Sequence, residues 1–190
     1  MMHFTKTAAL AIAFIVGLSV PQGQKTSDSS TFQKPVLDTG RARVDFLVGS
    51  FATSTYIPPM PSMPKGVTGK GTSVITWALD SMFLSIEDQS FNSLLGHYKA
   101  HGILGFDSQT HQYTLSMFNN YGDHPTYHGN FVGDTLVLQT KIPAPRGSFD
   151  QKLLWYKDGE AVRLRVLNDL GKGFLLALEQ TAIPVSQRTK

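Results

Sequence analysis

From Val44 onward the sequence repeats one pattern: a run of about seven to thirteen residues rich in β-branched and aromatic types, closed by a turn signal. Ten such runs can be placed, at roughly 44–56, 67–79, 82–92, 95–106, 110–120, 125–132, 134–140, 149–157, 161–168 and 173–182. The turns are well marked. Asp107-Ser108-Gln109-Thr110 has Asp where its side chain caps a type I turn, Gly133-Asp134 separates two runs, Lys157-Asp158-Gly159-Glu160 carries an Asp-Gly hairpin signal, and Gly171-Lys172-Gly173 marks another. Side chains alternate within the runs. Val162, Leu164 and Val166 share one face opposite Arg163 and Arg165; Tyr113, Leu115 and Met117 oppose Gln112, Thr114 and Ser116; and Phe174, Leu176 and Leu178 are expected on one face. No helical periodicity is visible beyond the N-terminal segment. Ten consecutive hairpin-linked strands leave a sheet with two unpaired edges, and closing the sheet into an up-and-down barrel removes them. A two-sheet sandwich satisfies the same periodicity, but short, sequential connections favour the barrel. The fold class read from the residues is therefore all-β, an antiparallel up-and-down β-barrel of about ten strands over residues 41–183.

The N-terminus carries a different signal. Met1-Met2-His3-Phe4-Thr5-Lys6 is a short basic head, Thr7 to Val20 is an apolar run, and Pro21-Gln22-Gly23-Gln24 is a polar, helix-breaking exit. That is the organisation of a secretory signal peptide, and the run is shorter than the ~20 residues a membrane helix needs. Gly17 and Ser19 stand at the −3 and −1 positions of a cleavage point after Ser19. The expected organisation is a signal peptide over 1–19, a flexible polar leader over 20–40, the barrel, and a tail over 184–190. The protein is expected to be exported, periplasmic or extracellular, with no transmembrane span once the signal is cleaved; an uncleaved anchor is the alternative.

Composition then narrows the chemistry. Among 190 residues there is no cysteine, which excludes disulfides, zinc–thiolate sites, thiol nucleophiles and covalent c-type haem. An exported chain of this kind must rely on its core alone. The net charge of +3 falls to about +2 when Lys6 leaves with the signal, and Arg163 and Arg165 form no basic stripe, so nucleic acid is not an expected partner. Hydrolase elbows, His-Glu-x-x-His, P-loops and dinucleotide fingerprints are missing. Glu87 and Asp88 are adjacent, so a strand points them to opposite faces, where they cannot flank a common bond. These absences favour a non-enzyme and leave the enzyme question open, because a barrel can bring acids and bases from different strands together in space.

Several of these runs together resemble a known family. Asp45-Phe46-Leu47-Val48-Gly49-Ser50-Phe51, Thr76-Trp77-Ala78-Leu79, Gly102-Ile103-Leu104-Gly105-Phe106-Asp107, Gln112-Tyr113 and Gly129-Asn130-Phe131-Val132-Gly133-Asp134-Thr135-Leu136 resemble, in order and spacing, the bacterial domain of unknown function 1579 family. The likeness covers residues 44–140 well and the last three strands loosely. It implies a calycin-like barrel, related in fold to lipocalins, fatty-acid-binding proteins and haem-binding nitrobindins, and it supplies no activity. Family members tend to carry Trp-x-Asp-Ser-x-Gly in the fifth strand, where this chain has Met117-Phe118-Asn119-Asn120-Tyr121-Gly122. Charge-dependent chemistry built on that Asp would be missing here.

The remaining candidates are constellations. Aromatics are plentiful: Trp77, Phe83, Phe91, Tyr98, Phe106, Tyr113, Phe118, Tyr127, Phe131, Trp155, Tyr156 and Phe174 either pack the interior solid or line a cavity. The candidate contacts for a small apolar ligand are Trp77, Tyr98, His101, Tyr113, Met117, Tyr127 and Trp155, inward polar tips favouring a cavity because they need partners when buried. His97 and His101, and His124 and His128, are each four apart, which on a strand leaves about 13 Å between them, too far to share a metal within a pair. Cross-strand pairing of one from each set is the route by which they would hold haem or a metal ion. His111 is expected to face solvent. The proline-rich connection 57–66 is expected to be rigid and extended at one mouth of the barrel; it offers Met60-x-x-Met63 as a soft-ion spacing and a surface for an envelope partner.

Overall fold

Each of the ten runs folds as a strand, with ends moved by a few residues and one run broken. The structure is a computed structural model that describes residues 39–185 apart from 62 and 146. The expected signal peptide, the leader up to residue 38 and residues 186–190 of the expected tail lie outside the described residues. The strands are β1 Gly49–Ile57, β2 Val67–Ala78, β3 Phe83–Asn92, β4 Gly96–Asp107, β5 Gln112–Asn119, β6 Thr126–Val132, β7 Thr135–Ala144, β8 Gly147–Asp158, β9 Ala161–Asp169 and β10 Phe174–Pro184. Each pairs antiparallel with the next, and β10 returns to β1, pairing Phe51 with Pro184 through Tyr56 with Glu179. The sheet is a closed ten-strand up-and-down barrel. The Asp107 turn forms as its sequence predicts, its carboxylate accepting from Gln109 N at 2.8 Å and Thr110 Oγ1 at 2.8 Å.

Closure needs tight bends, and two glycines provide them. A Cβ on Gly71 would lie 2.0 Å from the Gln89 carbonyl oxygen, and one on Gly129 would lie 2.0 Å from that of Val137. Any other residue would push the neighbouring backbone away, which is the usual reason for glycine inside a curved strand. β10 carries a bulge. Leu176 pairs with Leu167 but Leu178 pairs with Val166, so the inserted residue reverses the alternation. The expected common face of Phe174, Leu176 and Leu178 is thereby corrected: Leu178 joins the interior wall, and Phe174 receives the Lys152 ammonium 3.9 Å from its ring centroid.

The first run, expected as one strand from residue 44, is broken at its start. Val44 and Leu47 are both buried at a spacing of three, and Leu47 N and Val48 N donate to the carbonyls of Val44 and Asp45, making Asp45–Leu47 a 3₁₀ turn. A short helix over Thr39–Ala42 precedes it. This segment spans one end of the barrel. Trp77 Nε1 donates to Asp45 Oδ1 at 3.2 Å, Arg43 Nη2 donates to the Gly133 carbonyl at 2.8 Å, Tyr113 donates its hydroxyl to the Gly40 carbonyl, and Phe46 meets Phe131 edge-on. Its Leu47 is fully enclosed with Leu84, Leu104, Leu136 and Leu138 beneath it, in one cluster with Phe51, Tyr113 and Val44. The segment is a plug continuous with the core.

Leu47 is the plug's main apolar anchor. Leu47→Ala should cost about 2–5 kcal/mol, whereas the exposed neighbour Val48 changed to Ala should shift stability by no more than about 0.5 kcal/mol. Paired thermal or urea melts measure both.

Candidate functional site

Along β2 and β3 the inward positions shrink and become polar away from the plug. β3 runs inward through Leu84, Ile86, Asp88, Ser90 and Asn92; β2, read from the same end, runs through Trp77, Ile75, Ser73, Gly71 and Gly69. An eight-strand barrel has an interior that side chains just fill, so ten strands with small residues in one half leave space. The space is a cavity of about 700 Å³. It lies at the end where the β1–β2, β3–β4, β5–β6, β7–β8 and β9–β10 connections gather. Leu115, Met117, Leu153, Val166 and Leu178 make its apolar wall. The choice between a solid and a hollow interior is resolved by depth: the plug half is packed and the mouth half is open.

The aromatic and histidine candidates separate accordingly. Tyr98, Met117, Tyr127 and Trp155 line the cavity. Trp77 and Tyr113 belong to the closed end, held by the plug as described above, with Arg41 stacked over the Trp77 ring at 5.2 Å. His101 is corrected: strand phase puts it outside, where its Nδ1 meets Glu87 Oε1 at 2.6 Å. Phe91 and Phe118, each 53% exposed, are likewise on the outer face. Among the four metal candidates, His97 packs against Phe91 outside, His128 Nδ1 contacts Thr114 Oγ1 at 3.1 Å, and His124 alone borders the cavity. β5 lies between the strands that carry the two histidine sets, so the register does not join them; among the described residues no three His, Asp or Glu side chains gather in a metal-binding group. The proline-rich connection is also corrected: Met60 and Met63 exchange backbone hydrogen bonds at 3.1 and 2.7 Å, closing a turn in place of an extended loop.

The mouth is held by a pinned loop. Asn119 Oδ1 accepts from Tyr121 N and Asp123 N at 2.9 and 3.1 Å, and its Nδ2 donates to Asp123 Oδ2 at 3.2 Å. A carboxylate at 119 would accept the same two N–H groups but could not donate to Asp123. Asn120 ties the loop to β4 by accepting from Lys99 N at 2.8 Å and donating to the His97 carbonyl at 2.9 Å. Tyr121 stacks on Tyr98 with ring centroids 6.1 Å apart. Beyond the loop Tyr127 donates to Gln151 Oε1 at 2.5 Å, and Gln151 Nε2 donates to Asn168 Oδ1 at 2.9 Å. Burial, then the Asp88 charge, pushes the Tyr98 phenol up to about 12, and burial raises that of Tyr127 further. Both stay neutral donors at any ordinary pH.

Asp88 went unclaimed by motif reasoning. It continues the apolar phase of Leu84 and Ile86, and that phase was its signal in the sequence. Burial raises its pKa above the ordinary 3.8, against the hydrogen bond of Ser73, and Glu87 adds to the rise. When the folded pKa of a carboxyl lies above the unfolded one, charging it opposes folding at neutral pH, and the penalty disappears once both states are protonated. Asp88→Asn should therefore raise Tm at neutral pH. The gain over the wild type should shrink as pH falls and vanish below 3.8; a pH series of thermal melts reads it directly.

No protein-family model matches the chain, and no curated protein matches it. Among solved structures the fold is similar to that in the crystal structure of Rv2717c from M. tuberculosis, with a TM-score of 0.57 and 16% identity over 78% of this chain and 99% of that chain. At this identity the likeness establishes the fold alone, a β-barrel shared between the two proteins.

Proposed function

We propose that this protein is an exported, non-enzymatic barrel that binds a small, largely apolar molecule in its cavity, and that it belongs with the domain of unknown function 1579 family it resembles. The observation that carries the reading is the cavity itself. Its volume of about 700 Å³ falls in the range of roughly 300–1,000 Å³ usual for small-molecule sites, and its wall is mainly apolar with a few placed polar groups, as such sites are built. Tyr98, Met117, Tyr127 and Trp155 are the contacts; Trp77 and Tyr113 act from the closed end by keeping the floor rigid. Export rests on the head, apolar run and exit of residues 1–24.

The test is direct. The neutral fluorescent probe N-phenyl-1-naphthylamine should brighten on binding the purified protein. Replacing Met117 and Leu178 together by Trp should weaken it by about tenfold or more, since both enlarge into the cavity, with the barrel's β-sheet circular dichroism retained. Lipid extraction of natively purified protein should release a carried molecule. A probe that binds wild type and double variant equally would show that the cavity is not the site.

His124 at the cavity border supports a second reading, a haem held by one imidazole. The His124 imidazole would then hold the haem, and haem would bring gas-binding or redox chemistry of its own. On that reading added haem gives a Soret band that shifts when His124 is changed to Ala; a spectrum indifferent to that change disposes of it.

A further inference from the structure

The cavity floor holds an ionisable group that the packing of the barrel leaves incomplete. Asp88 pairs in register with Ser73 on β2 and Ala100 on β4, and it borders both the large cavity and a smaller void of about 20 Å³ deeper in the barrel. Ser73 gives it a hydrogen bond, but Oδ1 is shielded from solvent without any partner among the described residues. Its neighbours at that depth are neutral: Gln180 borders both voids with it, and Trp155 and Leu164 supply apolar surface. The other charged residues of the cavity, Asp123, His124 and Lys141, come from the mouth, and Lys141 is already bound to Asp150 at 2.7 Å. Among the described residues lining the two voids, none at the floor is Lys, Arg or His.

An interior carboxylate without a countercharge is costly, because folding removes its water and the Ser73 hydrogen bond replaces only part of it. Replacing it by an apolar residue would make a better core. A ligand that brings the missing charge turns the same group into an anchor: an ammonium inside a dry pocket gains a charge-assisted hydrogen bond that water no longer screens. A carboxylate headgroup would meet repulsion at the same place. We propose, resting on the ligand-binding reading above, that the Asp88 carboxylate receives the protonated amine of an otherwise apolar ligand, so that the barrel selects apolar amines over fatty-acid-like carboxylates.

The experiment is competition for bound N-phenyl-1-naphthylamine by dodecylamine, dodecanol and dodecanoate at neutral pH, all below their micelle-forming concentrations. The three share one apolar chain and differ in headgroup charge. Dodecylamine should displace the probe from the wild type at about one-tenth the concentration dodecanoate needs, or less, with dodecanol between them. In Asp88→Asn, which folds without the buried charge, the gap between amine and carboxylate, each referred to that variant's own affinity for the probe, should close to about threefold or less. A wild type that takes dodecylamine no better than dodecanol overturns the proposal, and points to an enclosed water in the 20 Å³ void as the partner of Asp88 Oδ1. A preference that survives in Asp88→Asn also overturns it and places the selection at the mouth, with Asp123. A probe that binds neither protein has a different meaning: the cavity reading itself fails, and the amine proposal falls with it.

Discussion

The hydrogen-bonded return of β10 to β1 is the constraint from which the rest of the molecule follows. Without that pairing, a ten-strand meander would present two long edges of unsatisfied N–H and C=O groups, a template for aggregation. With it, every strand has two neighbours and the sheet must enclose a volume set by strand number. Ten strands enclose more than their side chains fill, unless the inward residues are all large. The barrel therefore faced a choice between bulk and space, and its sequence makes both choices at different depths. Phe51, Leu84, Leu104 and Leu136 fill the plug end, while Thr55, Gly69, Ser90 and Asn92 leave the other end open.

Much of this architecture was legible because strands have a period of two. Alternation located all ten strands, placed Arg163 and Arg165 on one face and separated Glu87 from Asp88. It failed where the backbone departs from that period. Val44 and Leu47 obey a spacing of three, which a search for alternation reads as the start of a strand, yet it makes the plug. The bulge between Leu176 and Leu178 is an insertion with no composition of its own, so the alternation appears continuous when it is not. His101 illustrates a different failure. Its neighbours Ala100 and Gly102 are the buried pair, but both are small, and a search for large residues assigns the inward phase to the wrong partner. A Cβ at Gly102 would lie 2.5 Å from Met117 Sδ, so the methionine side chain would have to shift to admit one.

The site was less legible than the fold for a related reason. Aromatic residues mark interiors, but they do not say which half of an interior is solid. Trp77 and Tyr113 are as aromatic as Tyr98 and Tyr127, yet the first pair closes the floor and the second lines the space above it. What distinguishes them is distance from the plug, a quantity that appears only once strand directions are assigned. A ranking of inward residues by size along β2 carries that information, since Trp77, Ile75, Ser73 and Gly71 fall in sequence as the plug recedes. Polar residues follow the same gradient, and Gln151, Asn119 and Asn168 find partners where the large apolar side chains stop.

Asp88 sits where these two regimes meet, one position beyond Ile86 on the inward phase of β3. In the packed half a carboxylate would have no room and no water; at the mouth, solvent would screen it into irrelevance. At the boundary it is shielded from solvent yet borders the cavity that the proposed ligand would enter. The neighbouring phenols reinforce this. Tyr98 and Tyr127 remain protonated, so they donate hydrogen bonds without adding charge, and the sign of the potential at the floor is left to Asp88. Non-directional apolar contact with the wall can retain a ligand but distinguishes poorly among molecules of similar shape, whereas one unbalanced charge in a low-dielectric pocket distinguishes them by sign. The stability sacrificed at Asp88 is thus of the kind that binding sites characteristically retain, and the plug's fully packed core is what allows the fold to tolerate it.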